Sequence, residues 1–256
     1  MRILLSSLAA SIGVIAFMNF TGGAQQLQSV PDAMDNAQAP VVAELFTSQS
    51  CSSCPPAEAY FAELTGREDV IVLEWHVDYW DRLVHGRAGS WKDPYSNADY
   101  TKRQRDYNRA LRGTGGVYTP QAVINGTNEM IGSRRSEIEA HLQPARHATA
   151  DVWTATKGGE TEVNIGDYVM PLRRPADVIQ LTLLPDQTTH VPRGENRGVT
   201  LTSKNIVLSA EKIGSYSGTA DTFSLTPPED GKGCAIIVQE RRGSQLGPIL
   251  GATYCS

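Results

Sequence analysis

Apolar and polar positions follow two regimes along the chain, changing near residue 150. In the first, a β-prone run from Val41 to Phe46, interrupted only by Glu44, predicts a buried strand. A short polar loop follows, and the spacing of Ala59, Phe61, Ala62 and Leu64 then predicts a helix. Gly66 to Asp69 is a turn, and Val70 to Val77 predicts a second buried strand. Ala98 to Leu111 has helical spacing, its many charges forming a solvated face. Two apolar runs, Gln121 to Ile124 and one ending at Met130-Ile131, flank Asn125-Gly126, the strongest short hairpin signal. Ser136 to Leu142 closes the series as a helix. Beyond residue 150 the runs shorten and alternate, as in Val178 to Leu183, Ile206 to Leu208, Ala235 to Val238 and Ile249 to Tyr254. Turn residues such as Gly158-Gly159, Pro185-Asp186 and Gly231 to Gly233 break them, which predicts a smaller, mainly β, sandwich-like domain over 151–256.

The N-terminus adds a segment outside either regime. One positive charge at Arg2, an apolar run from Ile3 to Phe20 and the small residues Gly22 and Ala24 read as a signal peptide over 1–24. The alternative, an uncleaved anchor, is the one route by which the sequence reaches a membrane. Residues 25–40, rich in Gln, Ala, Asp and Pro, read as a linker. The body of the protein is therefore expected in the periplasm or outside the cell. Four cysteines, an even number, fit an oxidising compartment. At 256 residues the length allows one or two domains, and the net charge of −5 argues against nucleic acid as a partner.

The chemistry concentrates at Cys51-Ser52-Ser53-Cys54, between the first strand and the first helix. A helix N-terminus presents unpaired N–H groups and partial positive charge, which favours a thiolate at Cys51 as the attacking sulfur, with Cys54 resolving the mixed disulfide. Pro55 and Pro56 suit the first helical turn. Two other readings stand beside this one: half of a metal site and a structural disulfide. A zinc ribbon requires a second Cys-x-x-Cys, which Cys234 and Cys255 do not supply. The end of the second strand, His76-Val77-Asp78-Tyr79-Trp80-Asp81, brings a histidine close to Cys51 if the two strands are parallel. Cys234 begins one strand and Cys255 ends the next, opposite each other in a hairpin, so a structural disulfide is expected there. No chemistry is assigned to the polar loop Gly194 to Gly198.

The order of strand, Cys-x-x-Cys helix, strand, Val117-Tyr118-Thr119-Pro120, hairpin and helix resembles the thioredoxin fold over 41–148. The resemblance implies an α/β thioredoxin-like domain, with Thr119-Pro120 as the cis-proline that lies against the redox pair and aligns a substrate backbone. More closely, Glu44 to Pro56, His76 to Asp81 and Val117 to Gln121 are similar to a family of secreted bacterial proteins of unknown function with a thioredoxin-like domain. The aromatic residue that usually precedes the first cysteine is replaced by Ser50. Glu44 is the candidate for the buried proton-accepting acid, at an offset one residue longer than usual. The connection from about Tyr79 to Gly116 is longer than a minimal thioredoxin's and is read as a lid or substrate surface.

Three functions follow. The first is a thiol–disulfide oxidoreductase acting on protein or peptide thiols and disulfides, with Cys51, Cys54, Thr119, Pro120 and either Glu44 or His76 at work and no cofactor beyond the cysteines. The second handles Cu(I) or Zn(II) through Cys51, Cys54 and His76 or His85. The third is a binding module whose disulfide stays shut.

Overall fold

In the computed structural model, residues 39–83, 86–143 and 150–255 are described. The signal peptide expected over 1–24, nearly all of the linker, and His85 lie outside them. The first half builds β1 (Val41–Thr47), α1 (Pro55–Leu64), β2 (Val70–His76), a 3-10 turn at Gly86–Ala88, α2 (Ala98–Leu111), β3 (Gln121–Ile124), β4 (Asn128–Ile131) and α3 (Arg135–His141). The second half is all strand: β5 (Val152–Lys157), β6 (Glu160–Ile165), β7 (Ala176–His190), β8 (Thr200–Tyr216), β9 (Asp221–Ser224), β10 (Gly233–Arg242) and β11 (Gln245–Tyr254). The protein is a sheet-dominated α/β fold around one mixed eight-stranded sheet.

Strand alternation explains its layering. Successive side chains of a strand point to opposite faces. Val41, Ala43 and Leu45 of β1, with Val70 and Val72 of β2, pack against Phe61 and Leu64 of α1 and Ile138 of α3. Val42 and Phe46, with Ile71, Leu73 and Trp75, face Tyr100 and Tyr107 of α2 on the other side. Both faces are covered, so β1 and β2 are buried at every residue. β1 pairs parallel with β2 and antiparallel with β3, and β3 turns through Asn125-Gly126 into β4.

The separate sandwich expected over 151–256 does not form. The sheet order is β11-β10-β7-β8-β2-β1-β3-β4, and β8 joins β2 at the pair Glu74 and Ile206. The physical reason lies in β7 and β10, which carry apolar residues on both faces and so need cover on both. Leu181, Leu183, Ala235 and Ile237 join the α2-side core together with Trp75 and Phe46. Val178, Ile236 and Val238 on the opposite face pack under Val163 and Ile165 of a second sheet, β5-β6-β9. Sheet-on-sheet packing therefore exists locally, but as a flap on one shared sheet. Cys234 and Cys255 are bonded, and Cys255 N–H donates to Cys234 O at 2.9 Å, tying the end of β11 to the start of β10.

Candidate functional site

At the carboxyl end of β1 the chain leaves the sheet as a tight loop. Cys51 N–H returns to Ser48 O (3.0 Å) and Cys54 N–H to Cys51 O (3.2 Å), delivering Cys54 as the residue that precedes α1. Pro55 and Pro56 occupy the first helical positions. Cys51 and Cys54 are bonded to each other. Both are fully buried, while Ser52 and Ser53 between them are exposed. The Thr119–Pro120 peptide is cis. Ser53 Oγ lies 3.3 Å from Cys51 Sγ and 3.5 Å from Thr119 O, so the loop before β3 borders the cysteine pair. Trp80 Nε1 donates to Thr119 Oγ1 at 2.7 Å, so the end of the second strand reaches this corner as well.

Beneath the pair, on the α1 side of the sheet, sits a cluster of buried ionisable groups. Glu58 is one helical turn beyond Cys54, on the same helix face, and accepts from Thr47 Oγ1 at 2.6 Å. Burial first, and then the Glu74 carboxylate, push Glu58 up to about 8. His76 is clamped between two carboxylates, Nδ1 at 2.7 Å from Asp93 Oδ2 and Nε2 at 3.0 Å from Glu74 Oε1. Burial works against the imidazolium, but Asp93 and Glu74 outweigh it and hold His76 well above its ordinary range. For Asp93 burial is again the largest influence and acts upward, yet His76 and the N–H groups of Gln49 and Tyr95 bring it below the usual carboxylate range. Asp93 also ties the cluster to the cysteine loop, accepting from Gln49 N–H at 2.8 Å.

Two outer segments close around the loop. From the long connection, Trp91 O accepts from Ser50 Oγ (2.8 Å) and Trp91 Nε1 donates to Gln49 Oε1 (3.1 Å). From the turn joining β7 to β8, Glu195 Oε2 accepts from Ser52 N–H at 3.0 Å. Asn196 Nδ2 donates both to Gln49 O (3.0 Å) and to Cys51 O (2.9 Å). Gly194 has φ +79°, and a Cβ there would stand 3.2 Å from Trp91 Cβ, so a larger residue would hold the two segments apart.

The expected site residues thus separate. Cys51, Cys54, Thr119 and Pro120 come together, and His76 lies in the cluster under the cysteine loop. Glu44 does not: alternation turns it to the α2 side, where Arg103 Nε donates to its Oε1 at 2.7 Å and Tyr107 Oη bonds its Oε2. Glu58 is the acid on the cysteine side; its spacing of four from Cys54 was the available signal. Glu74 and Asp93 had a weaker one, polar residues in or beside an apolar run. Glu195 and Asn196 had none, since their partners are more than 140 positions away. For the metal reading, both His76 nitrogens are engaged by carboxylates. No group of three His, Cys, Asp or Glu among the described residues has a metal-holding arrangement.

Comparison with known proteins agrees in fold and is silent on activity. The crystal structure of protein AGR_C_4864 from Agrobacterium tumefaciens is 31% identical, with a TM-score of 0.69 over 84% of this chain and 94% of that one. HBP35 of Porphyromonas gingivalis shares the fold at a TM-score of 0.55 over 85% of this chain and 74% of its own, with 13% identity. No curated protein matches the chain. A family described as a protein of unknown function, DUF1223, matches residues 42–239, and the chain belongs to that family.

Proposed function

We propose that the protein is a thiol–disulfide oxidoreductase whose working pair is Cys51 and Cys54. The observation that supports this best is the Cys51–Cys54 disulfide at the head of α1, bordered by the Thr119–Pro120 loop and underlain by the buried acid Glu58. The order β2-β1-β3-β4, with α1 and α3 on one face and α2 on the other, is similar to the thioredoxin arrangement. A periplasmic or secreted location and protein or peptide thiols as partners belong to the same reading, and the chemistry asks for no cofactor beyond the cysteines.

In the reducing direction an external thiolate attacks Cys51 Sγ, the Cys51–Cys54 bond breaks, and its electron pair leaves on Cys54 Sγ. Glu58, protonated at neutral pH, is placed one turn away to supply the proton that Cys54 takes up. A second external thiolate attacks the mixed disulfide at the external sulfur and releases Cys51. The pair has then gained two electrons and two external thiols have become one disulfide. The Thr119 carbonyl beside Ser53 is positioned to take a backbone N–H from an extended substrate.

The complete burial of both sulfurs favours a second reading, a disulfide kept shut in a binding module. One measurement separates the two. Protein is equilibrated in graded glutathione buffers, alkylated and weighed by mass spectrometry. A midpoint between about −120 and −270 mV supports the oxidoreductase, and a pair still oxidised below about −300 mV supports the closed module.

A further inference from the structure

The turn between β7 and β8 reaches the cysteine loop ready-made. Gly198 N–H donates to Val191 O (2.8 Å) and Val199 N–H to Asn196 O (2.9 Å), closing residues 191–199 on themselves. The strap so formed grips its target at three places. Gly194 N–H holds Ala88 O at 3.1 Å and its α-carbon lies against Trp91. The buried amide of Asn196 spends both of its N–H bonds on carbonyls of the cysteine loop, Cys51 O among them. Glu195 holds the N–H of Ser52, the residue after Cys51.

We infer that Glu195 and Asn196 are positioning residues for Cys51, Asn196 fastening the strap to the Cys51 carbonyl and so holding the loop closed, and Glu195 setting how well the loop tolerates a Cys51 thiolate. The inference rests on the redox reading of the Cys51–Cys54 pair. Attack on a disulfide needs an approach along the sulfur, and both cysteines are fully buried, so exchange waits for the cysteine loop to open, a loop whose backbone Asn196 and Glu195 hold. Once reduced, a Cys51 thiolate draws its stabilisation from N–H groups at the head of α1. Glu195 already occupies the Ser52 N–H, and its negative charge opposes a second one beside it. Glu195 therefore disfavours the dithiol relative to the disulfide and makes the pair more reducing. Asn196 acts on access, so its effect falls on rate more than on equilibrium.

The test uses the full chain with glutathione as the first probe and dithiothreitol as the second. In Glu195→Gln the thiol–disulfide equilibrium constant moves about fivefold toward the dithiol, which is about 20 mV for a two-electron couple. That shift shrinks in 1 M salt, and Glu195→Asp, which keeps the charge, restores most of the wild-type value. In Asn196→Ala the pair is reduced about tenfold faster by either thiol; Asn196→Asp, of similar size but without the donors, is the second variant should the alanine form not fold. Variants that melt with the wild type and keep its equilibrium constant and its reduction rate overturn the inference. A wild-type pair that resists glutathione overturns the redox reading instead, and the dithiothreitol rates then still decide whether the strap controls access.

Discussion

Two buried glutamates on opposite faces of the sheet show how much a single step of alternation decides. Glu44 faces α2, where Arg103, itself also bonded to Gln239, forms a largely buried ion pair with it. Burial works against the Arg103 charge, but Glu44 holds the guanidinium above its ordinary range. Glu44→Leu leaves that cation without its carboxylate and costs about 3–5 kcal/mol, read from urea unfolding. The Cys51–Cys54 midpoint stays in place in the folded fraction. Glu58 behaves in the opposite way. Its pKa is lifted by burial, then by Glu74, to about 8, so the folded protein keeps a proton that the unfolded chain releases near 4.5. Between those pH values the native state binds more protons, and stability falls as pH rises, by at most about 1.4 kcal/mol per pH unit. The raised His76 acts in the same direction: its contribution is complete below 6.5 and is lost as pH climbs through its elevated folded value. The lowered Asp93 opposes both only at acid pH, its contribution present above 3.8 and lost as pH falls through its folded value. Glu58→Gln keeps the acceptor for Thr47 and removes its share, so the stability curve flattens between about pH 5 and 8. The rate of disulfide reduction loses its inflection near pH 8 in the same variant, and an unchanged profile would remove Glu58 from the proton path.

At the scale of elements, the contact between α1 and the loop before β3 depends on one small residue. Gly132, just after β4, has no room for a side chain. A Cβ there would sit 2.8 Å from Leu45 Cδ1, 3.2 Å from Pro120 Cβ and 3.3 Å from Ala57 Cβ. Gly132→Ala wedges β1, α1 and the Pro120 loop apart, for a cost of about 1–3 kcal/mol. Because Pro120 and Ala57 flank the cysteine pair, the same change alters the rate of disulfide exchange as well as the melting temperature. Most of these elements were legible in the sequence: the two strands from their apolar runs, α1 from its spacing and prolines, the hairpin from Asn125-Gly126. Cys51 and Cys54 stood out by their motif, whereas Thr119-Pro120 was set beside them only by the resemblance to the thioredoxin fold. The acid was not legible. Choosing Glu58 over Glu44 requires knowing which face of β1 the helix covers, and a strand buried on both sides carries no polar stripe to tell. The strap was out of reach for a different reason, since Asn196 touches the loop only through a pairing of β7 and β8 that the local pattern does not encode.

For the whole molecule, the shared sheet predicts that the cysteine-bearing half does not fold alone. A sequence that changes texture near residue 150 suggests a boundary, yet texture reports local pairing and not which strand lies next to which. The clue was in β7 and β10, where apolar residues occupy both faces, a pattern of central strands and not of a sandwich with one wet side. Without residues 151–256, β2 loses its neighbour β8 and becomes an edge. Phe46, Leu73 and Trp75 lose Leu181, Leu183, Val207, Ala235, Ile237, Ile249 and Ala252 from their core. At about 1.5–3 kcal/mol for each large apolar side chain left uncovered, exposing Phe46, Leu73 and Trp75 costs an amount comparable to the roughly 5–15 kcal/mol that holds a domain folded. Residues 39–150 expressed alone are therefore expected to lack a cooperative melt and dispersed amide resonances, and their Cys51–Cys54 pair to reduce at the rate of an unfolded peptide. A fragment that instead melts cooperatively with the wild-type midpoint would mean that the strands beyond residue 150 are an addition to a complete domain. The expected failure would mean that the sheet, from β11 to β4, is the smallest unit that holds the cysteine pair in place.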